Sequence, residues 1–307
     1  MRPDSKVLIT GSSGMVGSAL VRLMRQKGYT NILAPSRKDL DITLQNDCYN
    51  FFEVHRPEFV FHLAAKVGGI YANDTFPADF IYQNTQMHSN IFSACLKYAV
   101  TKVLFPGSAC TYPKMAPQPI KETEFLNGPM EPTNLAYGIA KANGIIMGQS
   151  YAKQYGLNVV IPMPANAYGI NDNFDPQGGH VIPALMLRFH KAKQDGLKEV
   201  EIWGTGNIMR EFLYVDDFAS GLEFLMNNYN SPNLINLGTM AEIKIIDLAY
   251  LIAAVVGFEG KITTTPHKPD GAPRKCLDNS TILSLGWHPN TNLKSGLTTM
   301  FSHHFSI

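Results

Sequence analysis

"LITGSSGMVGSAL", residues 8–20, passes from an apolar, β-prone run through three glycines into a segment with helical periodicity. Gly11, Gly14 and Gly17 fall at a GxxGxxG spacing, and Val16, Ala19, Leu20 and Leu23 would share one face of the following helix. Glycines between a strand and a helix let the backbone approach a pyrophosphate lying at the positive helix N-terminus. Turns also collect glycine, so the triplet takes its meaning from the strand and helix that flank it. Outward from it, KVLIT, NILAP, FVFHLAA and KVLFPG are short apolar runs separated by amphipathic segments. Such alternation predicts an α/β fold with a doubly wound parallel sheet and helices on both faces.

Beyond Tyr137 a long helical pattern, YGIAKANGIIMGQSYAKQYG, closes at Gly156, where a left-handed cap residue belongs. NVVIPMPANAYG reads as the next strand and its exit loop. From Ile170 the texture turns to Gly, Asn, Asp and Pro, followed by the helix VIPALMLRFHKAKQ and the segment VEIWGTGNIMREFLYVDD. A chain of 307 residues is long enough for one large core or for two coupled domains, and the change of texture favours two. We therefore expect a dinucleotide-binding Rossmann domain over 1–165, rejoined by about 212–240. A smaller, interleaved C-terminal substrate domain would take 166–211 and 241–307.

Charged residues make up 17% of the chain and balance to +1, so no basic field points to nucleic acid or to an anionic membrane surface. The four cysteines are scattered, without a CxxC pair or a His/Cys cluster at metal spacing, so neither a disulfide framework nor a metal site is expected. The N-terminus enters a strand directly, with no signal-like apolar stretch, and no apolar run nears the ~20 residues of a membrane span. The expected setting is the cytoplasm, with a small molecule and a second copy of the chain as partners.

Two dozen residues past the glycines, APSRKDLDIT is where an adenosine ribose would lie. Ser36 and Arg37 suit a 2′-phosphate, which points to NADP(H), and Asp41 falls nearer the adenine. YGIAK sets Tyr137 and Lys141 at i and i+4, within mutual reach on one helical face. A phenol with an ordinary pKa near ~10 becomes a useful acid or base only with help, and a neighbouring ammonium supplies it. In GSACTYPK, Ser108 and Cys110 would share a face if the segment is extended. An isolated cysteine is ordinarily a small packed hydrophobe. Glycine triplet, serine and YxxxK together resemble the extended short-chain dehydrogenase/reductase family.

Five further segments, LAAKVGGI, GSACTYPK, NAYGINDNFDPQGGHVIPAL, WGTGNIMREFLYVDD and KPDGAPRKCLD, narrow the resemblance. In that order, and over about residues 6–300, the chain is similar to the GDP-L-fucose synthase family, epimerase-reductases that act on GDP-4-keto-6-deoxy-D-mannose. The resemblance implies Cys110 as catalytic base and His180 as acid, with Ser108, Tyr137 and Lys141 activating the C4 ketone. It extends the cofactor lining from Gly11, Gly14, Gly17, Arg37 and Asp41 to Ser13, Met15, Val16, Ala64, Ala65, Pro164, Asn166 and His180, besides Tyr137 and Lys141. It places Asn166, Arg188, Trp203, Arg210, Asp270 and Lys275 near the GDP-sugar, with Ser108 at the sugar and Asn171 in the adjoining loop. It also implies a homodimer built on the helices over 79–98 and 137–155.

Ala109, Thr111, Gly138 and Ala165 depart from the family pattern; Ala109 and Thr111 flank Cys110 and Ala165 adjoins Asn166, so the pocket beside the sugar would be altered, which leaves a related GDP-4-keto-sugar such as a 6-deoxy-heptose open as substrate. Two other readings remain: a C4 reductase in which Cys110 and His180 only pack, and a non-catalytic dinucleotide sensor. The presence of Ser108, Tyr137 and Lys141 together argues against the sensor.

Overall fold

Strand β1 (Val7–Thr10) is buried at all four positions, as a strand covered on both faces must be. The computed structural model describes residues 1–175, 179–267 and 271–305. After β1 come α1 (Met15–Gln26), β2 (Ile32–Leu33), α2 (Gln45–His55), β3 (Phe59–His62), α3 (Ile70–Thr75), α4 (Pro77–Lys97), β4 (Lys102–Leu104), α5 (Leu135–Tyr155) and β5 (Val159–Pro164). The chain continues through β6 (Asn166–Tyr168), α6 (Val181–Gln194), β7 (Glu199–Trp203), β8 (Met209–Tyr214), α7 (Val215–Asn228) and β9 (Leu234–Leu237). Last are β10 (Glu242–Lys244), α8 (Ile245–Val256), β11 (Lys261–Thr265), β12 (Arg274–Lys275), α9 (Ser280–Ser284) and α10 (Leu293–Phe305).

Six strands form one parallel sheet in the order β2-β1-β3-β4-β5-β9. Helix α1 packs on α7, and α4 packs on α5 and α2, so the sheet is wound on both faces. From β1 the chain steps outward to β2 and then back across to β3. That reversal opens a crevice beyond the carboxyl ends of β1 and β3, the place where such sheets bind ligands. The buried stripe of α1 is Gly17, Ala19, Leu20, Val21 and Met24, turned slightly from the expected one, and Val16 and Leu23 sit at its margin. Helix α5 ends at Gly156 with φ +72°, in the left-handed conformation its position predicted.

A smaller sheet, β10-β8-β12 with β6 also paired to β8, stands beside the crevice, and β7 pairs with β11 separately. Its hub is Glu211 on β8, whose side chain is almost fully buried. The carboxylate accepts from the Met240 amide (2.7 Å), the Leu277 amide (2.8 Å), Asn279 Nδ2 (3.2 Å) and the Thr239 amide. A buried carboxylate is tolerable only when satisfied in this way. Here it ties β8 to the segments that follow β9 and β12. Among the described residues no helix is long and apolar enough to cross a membrane.

Candidate active site

A cavity of about 930 Å³ lies over the carboxyl ends of β1, β3, β4 and β5. Its floor depends on two glycines. Gly11 has φ +70°, and a Cβ there would stand 2.8 Å from the Ala64 backbone, so only glycine lets the end of β1 turn against the exit of β3. A Cβ on Gly17 would stand 2.1 Å from the Gly11 carbonyl oxygen. Helix α1 begins after Gly14 with no side chain capping it, and Gly11, Ser13, Gly14, Met15, Val16 and Gly17 all line the cavity. This backbone cradle at a helix N-terminus fits a pyrophosphate.

Further along, Ser36, Arg37 and Asp41 line the same cavity. Burial works against the Asp41 carboxylate, but hydrogen bonds from Thr43 and the Arg37 charge outweigh it and hold the group below its ordinary range. The Arg37 guanidinium, 73% exposed, lies 3.5 Å from Asp41 and is positioned for a phosphate at the cavity mouth. Ser36 instead donates its hydroxyl to Asp39 at 2.7 Å. Glycine cradle and arginine together fit NADP(H). Ala64, Ala65, Pro164, Asn166 and His180 complete the lining expected for it.

The reactive groups gather where β4 ends. Ser108 and Cys110 both line the cavity, but not through strand alternation: residues 109–111 form a 3₁₀ turn. Ser108, still extended, caps that turn by accepting from the Cys110 amide at 3.2 Å. Tyr137 and Lys141 arrive from α5. Burial, with the Cys110 charge adding to it, pushes the Tyr137 phenol up, and a hydrogen bond with Ser108 pulls the other way. The Lys141 amine is 5% exposed, and burial pushes it down from 10.5 to about 7. It donates to the Pro106 carbonyl at 2.8 Å and lies 4.7 Å from the centroid of the Phe105 ring. In this structure the Lys141 amine therefore faces a carbonyl, one helical turn beyond Tyr137.

Beneath them runs a dry polar chain: Thr10 Oγ1 meets His62 Nδ1 and His62 Nε2 meets His88 Nδ1, each at 3.0 Å. Burial, aided by the Lys141 charge, pushes His62 down to about 3, and His88 is also held well below its usual value, so both rings are neutral.

His180 closes the site from the start of α6, half exposed, with Nδ1 4.0 Å from the buried Asp172 carboxylate. Arg210 on β8 and Lys275 on β12 are direct register partners and line the far end. Asn166 on β6 joins them by donating to the Glu211 carbonyl at 3.1 Å. Two residues expected at the GDP-sugar stand outside this lining. Arg188 donates to the Glu201 carbonyl at 2.6 Å on the outer side of α6, and Trp203, on the outward face of β7, is 66% exposed. Asp270 lies outside the described residues. Asn171 reaches α1, donating to Ser18 at 3.1 Å.

Asn134 is the residue that sequence reasoning missed. It occupies the N-cap position of α5, where asparagine normally caps for ~1 kcal/mol, yet its side chain makes no cap bond. Instead Nδ2 donates to Cys110 Sγ at 3.2 Å. Its place three residues before Tyr137 was the available signal.

The crevice at a sheet reversal, the glycine cradle and the Ser–Tyr–Lys set define a dinucleotide-dependent oxidoreductase. The chain matches the NAD dependent epimerase/dehydratase family over residues 7–238. It is 47% identical over 298 residues to GDP-L-fucose synthase 1 of Arabidopsis thaliana, covering 97% of this chain and 92% of that one. A GDP-6-OMe-4-keto-L-xylo-heptose reductase from C. jejuni superposes with a TM-score of 0.93 at 32% identity, covering 98% of each chain. An NADP-bound GDP-L-fucose synthetase from Naegleria fowleri superposes at 0.89 with 30% identity, over 99% of this chain and 94% of that one. The chain belongs to the NAD dependent epimerase/dehydratase family and, within it, to the GDP-L-fucose synthases.

Proposed function

We propose that the protein converts GDP-4-keto-6-deoxy-D-mannose to GDP-L-fucose by epimerising C3 and C5 and reducing C4, with NADP(H) as cofactor. The observation that carries this reading is that Cys110 and His180 line one cavity with Ser108, Tyr137 and Lys141. Protons on C3 and C5 flank the C4 ketone, so removal of either leaves an enolate with its charge on the C4 oxygen. Ser108 and Tyr137 donate hydrogen bonds to that oxygen as charge develops. Cys110, as thiolate, takes the proton, and His180 returns one from the opposite face. Bound NADPH supplies the hydride that C4 accepts. Tyr137 then gives its proton to the C4 oxygen, so one ketone-activating pair serves both reactions. Arg37 and the Gly11–Gly17 cradle hold the cofactor phosphates, and Arg210 and Lys275 hold the GDP diphosphate.

A second reading, C4 reduction of a related GDP-4-keto-heptose, is favoured by the close superposition on the C. jejuni reductase. The test is turnover of GDP-4-keto-6-deoxy-D-mannose with NADPH in heavy water. We expect deuterium at C3 and C5 of GDP-L-fucose, and none in a Cys110→Ser variant. Reduced product without deuterium in the wild type would leave the C4 reductase.

The same proposal divides the chain into a Rossmann unit over 1–165, rejoined by about 212–240, and a substrate domain over 166–211 and 241–307. It pairs two copies through α4 and α5, which pack on each other and leave Ile81, Tyr82, Ile139, Ile146 and Tyr155 exposed. The four unpaired cysteines suit a reducing cytoplasm.

A further inference from the structure

We infer that Asn134 is a positioning residue for the base: its side-chain N–H holds Cys110 Sγ in the thiolate form and fixes where the sulfur points. The inference rests on the reading of Cys110 given above. Three observations carry it. The Asn134 amide donates to Sγ at 3.2 Å, a full hydrogen bond for a sulfur acceptor. It does so instead of capping α5, the role its backbone position offers. Its Oδ1 is buried without a hydrogen-bond partner, so the amide is oriented by the sulfur and not by a second protein group.

The donor matters because a thiol gives up its proton readily only where the sulfur charge is stabilised. The titratable groups that share the cavity with Cys110 are Arg37 and Asp41 at its mouth, Lys66 after β3, Tyr112 just past the 3₁₀ turn, Tyr137 and Lys141 on α5, the Lys114–Glu131 ion pair ahead of that helix, and His180, Arg210 and Lys275 across it. Lys141 directs one N–H to the Pro106 carbonyl and acts on Cys110 through its charge, which it loses as the pH rises. The hydrogen bond that Asn134 gives to Sγ comes from a group that cannot itself titrate, so its help persists across the working pH range. Asn134 also starts α5, three residues before Tyr137. One amide thus fixes the base relative to the hydroxyl that donates to the enolate oxygen.

The test is iodoacetamide labelling of the free protein from pH 5 to 9, with Cys110 followed by peptide mass spectrometry. Cys48, Cys95 and Cys276 are buried and provide the slow-reacting background. Asn134→Leu keeps the volume and removes the donor, and Asn134→Ala serves if the leucine variant melts early. At about pH 7 labelling is expected to slow about tenfold in either variant, with the midpoint of the profile moved to higher pH. A profile identical to wild type overturns the inference. So does a rate lowered by one constant factor at every pH, which would signal access and not charge. Deuterium exchange into GDP-4-keto-6-deoxy-D-mannose separates the two levels of the argument. If labelling shifts but exchange does not, the role of Asn134 on the thiol stands and the assignment of Cys110 as base falls.

Discussion

Replacing Lys141 with methionine should stabilise the free protein at neutral pH, and by an amount that depends on pH in a defined way. Burial lowers the amine from 10.5 to about 7. Between those values the unfolded chain binds a proton that the folded chain does not, so wild-type stability rises as pH climbs through the window and is flat below about 7. Each pKa unit corresponds to ~1.4 kcal/mol. Moving from about pH 7 to about pH 9.5 therefore returns ~3 kcal/mol to the wild type and nothing to a Lys141→Met variant, which has no group to titrate there.

Other contributions cancel from this comparison. Losing the bond to Pro106 costs ~1–3 kcal/mol, and the methionine packs differently, but both effects are the same at either pH. The assay is urea unfolding of wild type and variant at the two pH values and one protein concentration. The difference in stability, variant minus wild type, should fall by ~3 kcal/mol from the lower pH to the higher. A difference that does not change with pH would refute the claim that the Lys141 ammonium is penalised by burial. Catalysis should be lost in the variant at both values, the usual opposition between a strained site and stability.

Arg37→Ala should weaken NADPH binding by about 10- to 100-fold, the worth of a charge-assisted bond to phosphate, and leave NADH binding unchanged. Fluorescence titration with both cofactors checks it, and equal losses would move the 2′-phosphate away from Arg37. Glu211→Ala strands the Met240 and Leu277 amides and should cost ~3–5 kcal/mol in denaturant unfolding. A cost under about 1 kcal/mol would mean that water replaces the carboxylate and that Glu211 is no hub.

What the sequence revealed and what it hid divide along a physical line. Gly11, Gly14 and Gly17 could be read because their roles follow from local backbone geometry, and Tyr137 and Lys141 because helical spacing alone brings them to one face. Ser108 and Cys110 reach one cavity as expected, but by a 3₁₀ turn capped by Ser108, which a two-residue alternation does not reveal. Arg188 and Trp203 stand outside the lining because their placement depends on how α6 and β7 sit in the second unit, a matter of long-range packing. Arg210 was picked out of the REFL segment and its neighbour Glu211 was not, since a hub is recognisable only by partners 28 to 68 residues away.

Three residues that break local rules stand around the cavity. Asn134 leaves a helix uncapped, Lys141 is an amine in a dry wall, and Asp172 keeps a buried oxygen without a partner. Each departure has a local cost, and each stands beside a group assigned to chemistry: Cys110, Tyr137 and His180 respectively. Other departures lie elsewhere: Lys102 is a second buried amine, and His190 and Tyr214 keep buried atoms without partners. What sets the three apart is the neighbour each one stands beside, where selection for a reaction acts against stability. It follows that substitutions repairing these three residues toward local ideality should raise stability and lower turnover together. Equal repairs elsewhere, such as caps on the outer helices, should raise stability alone.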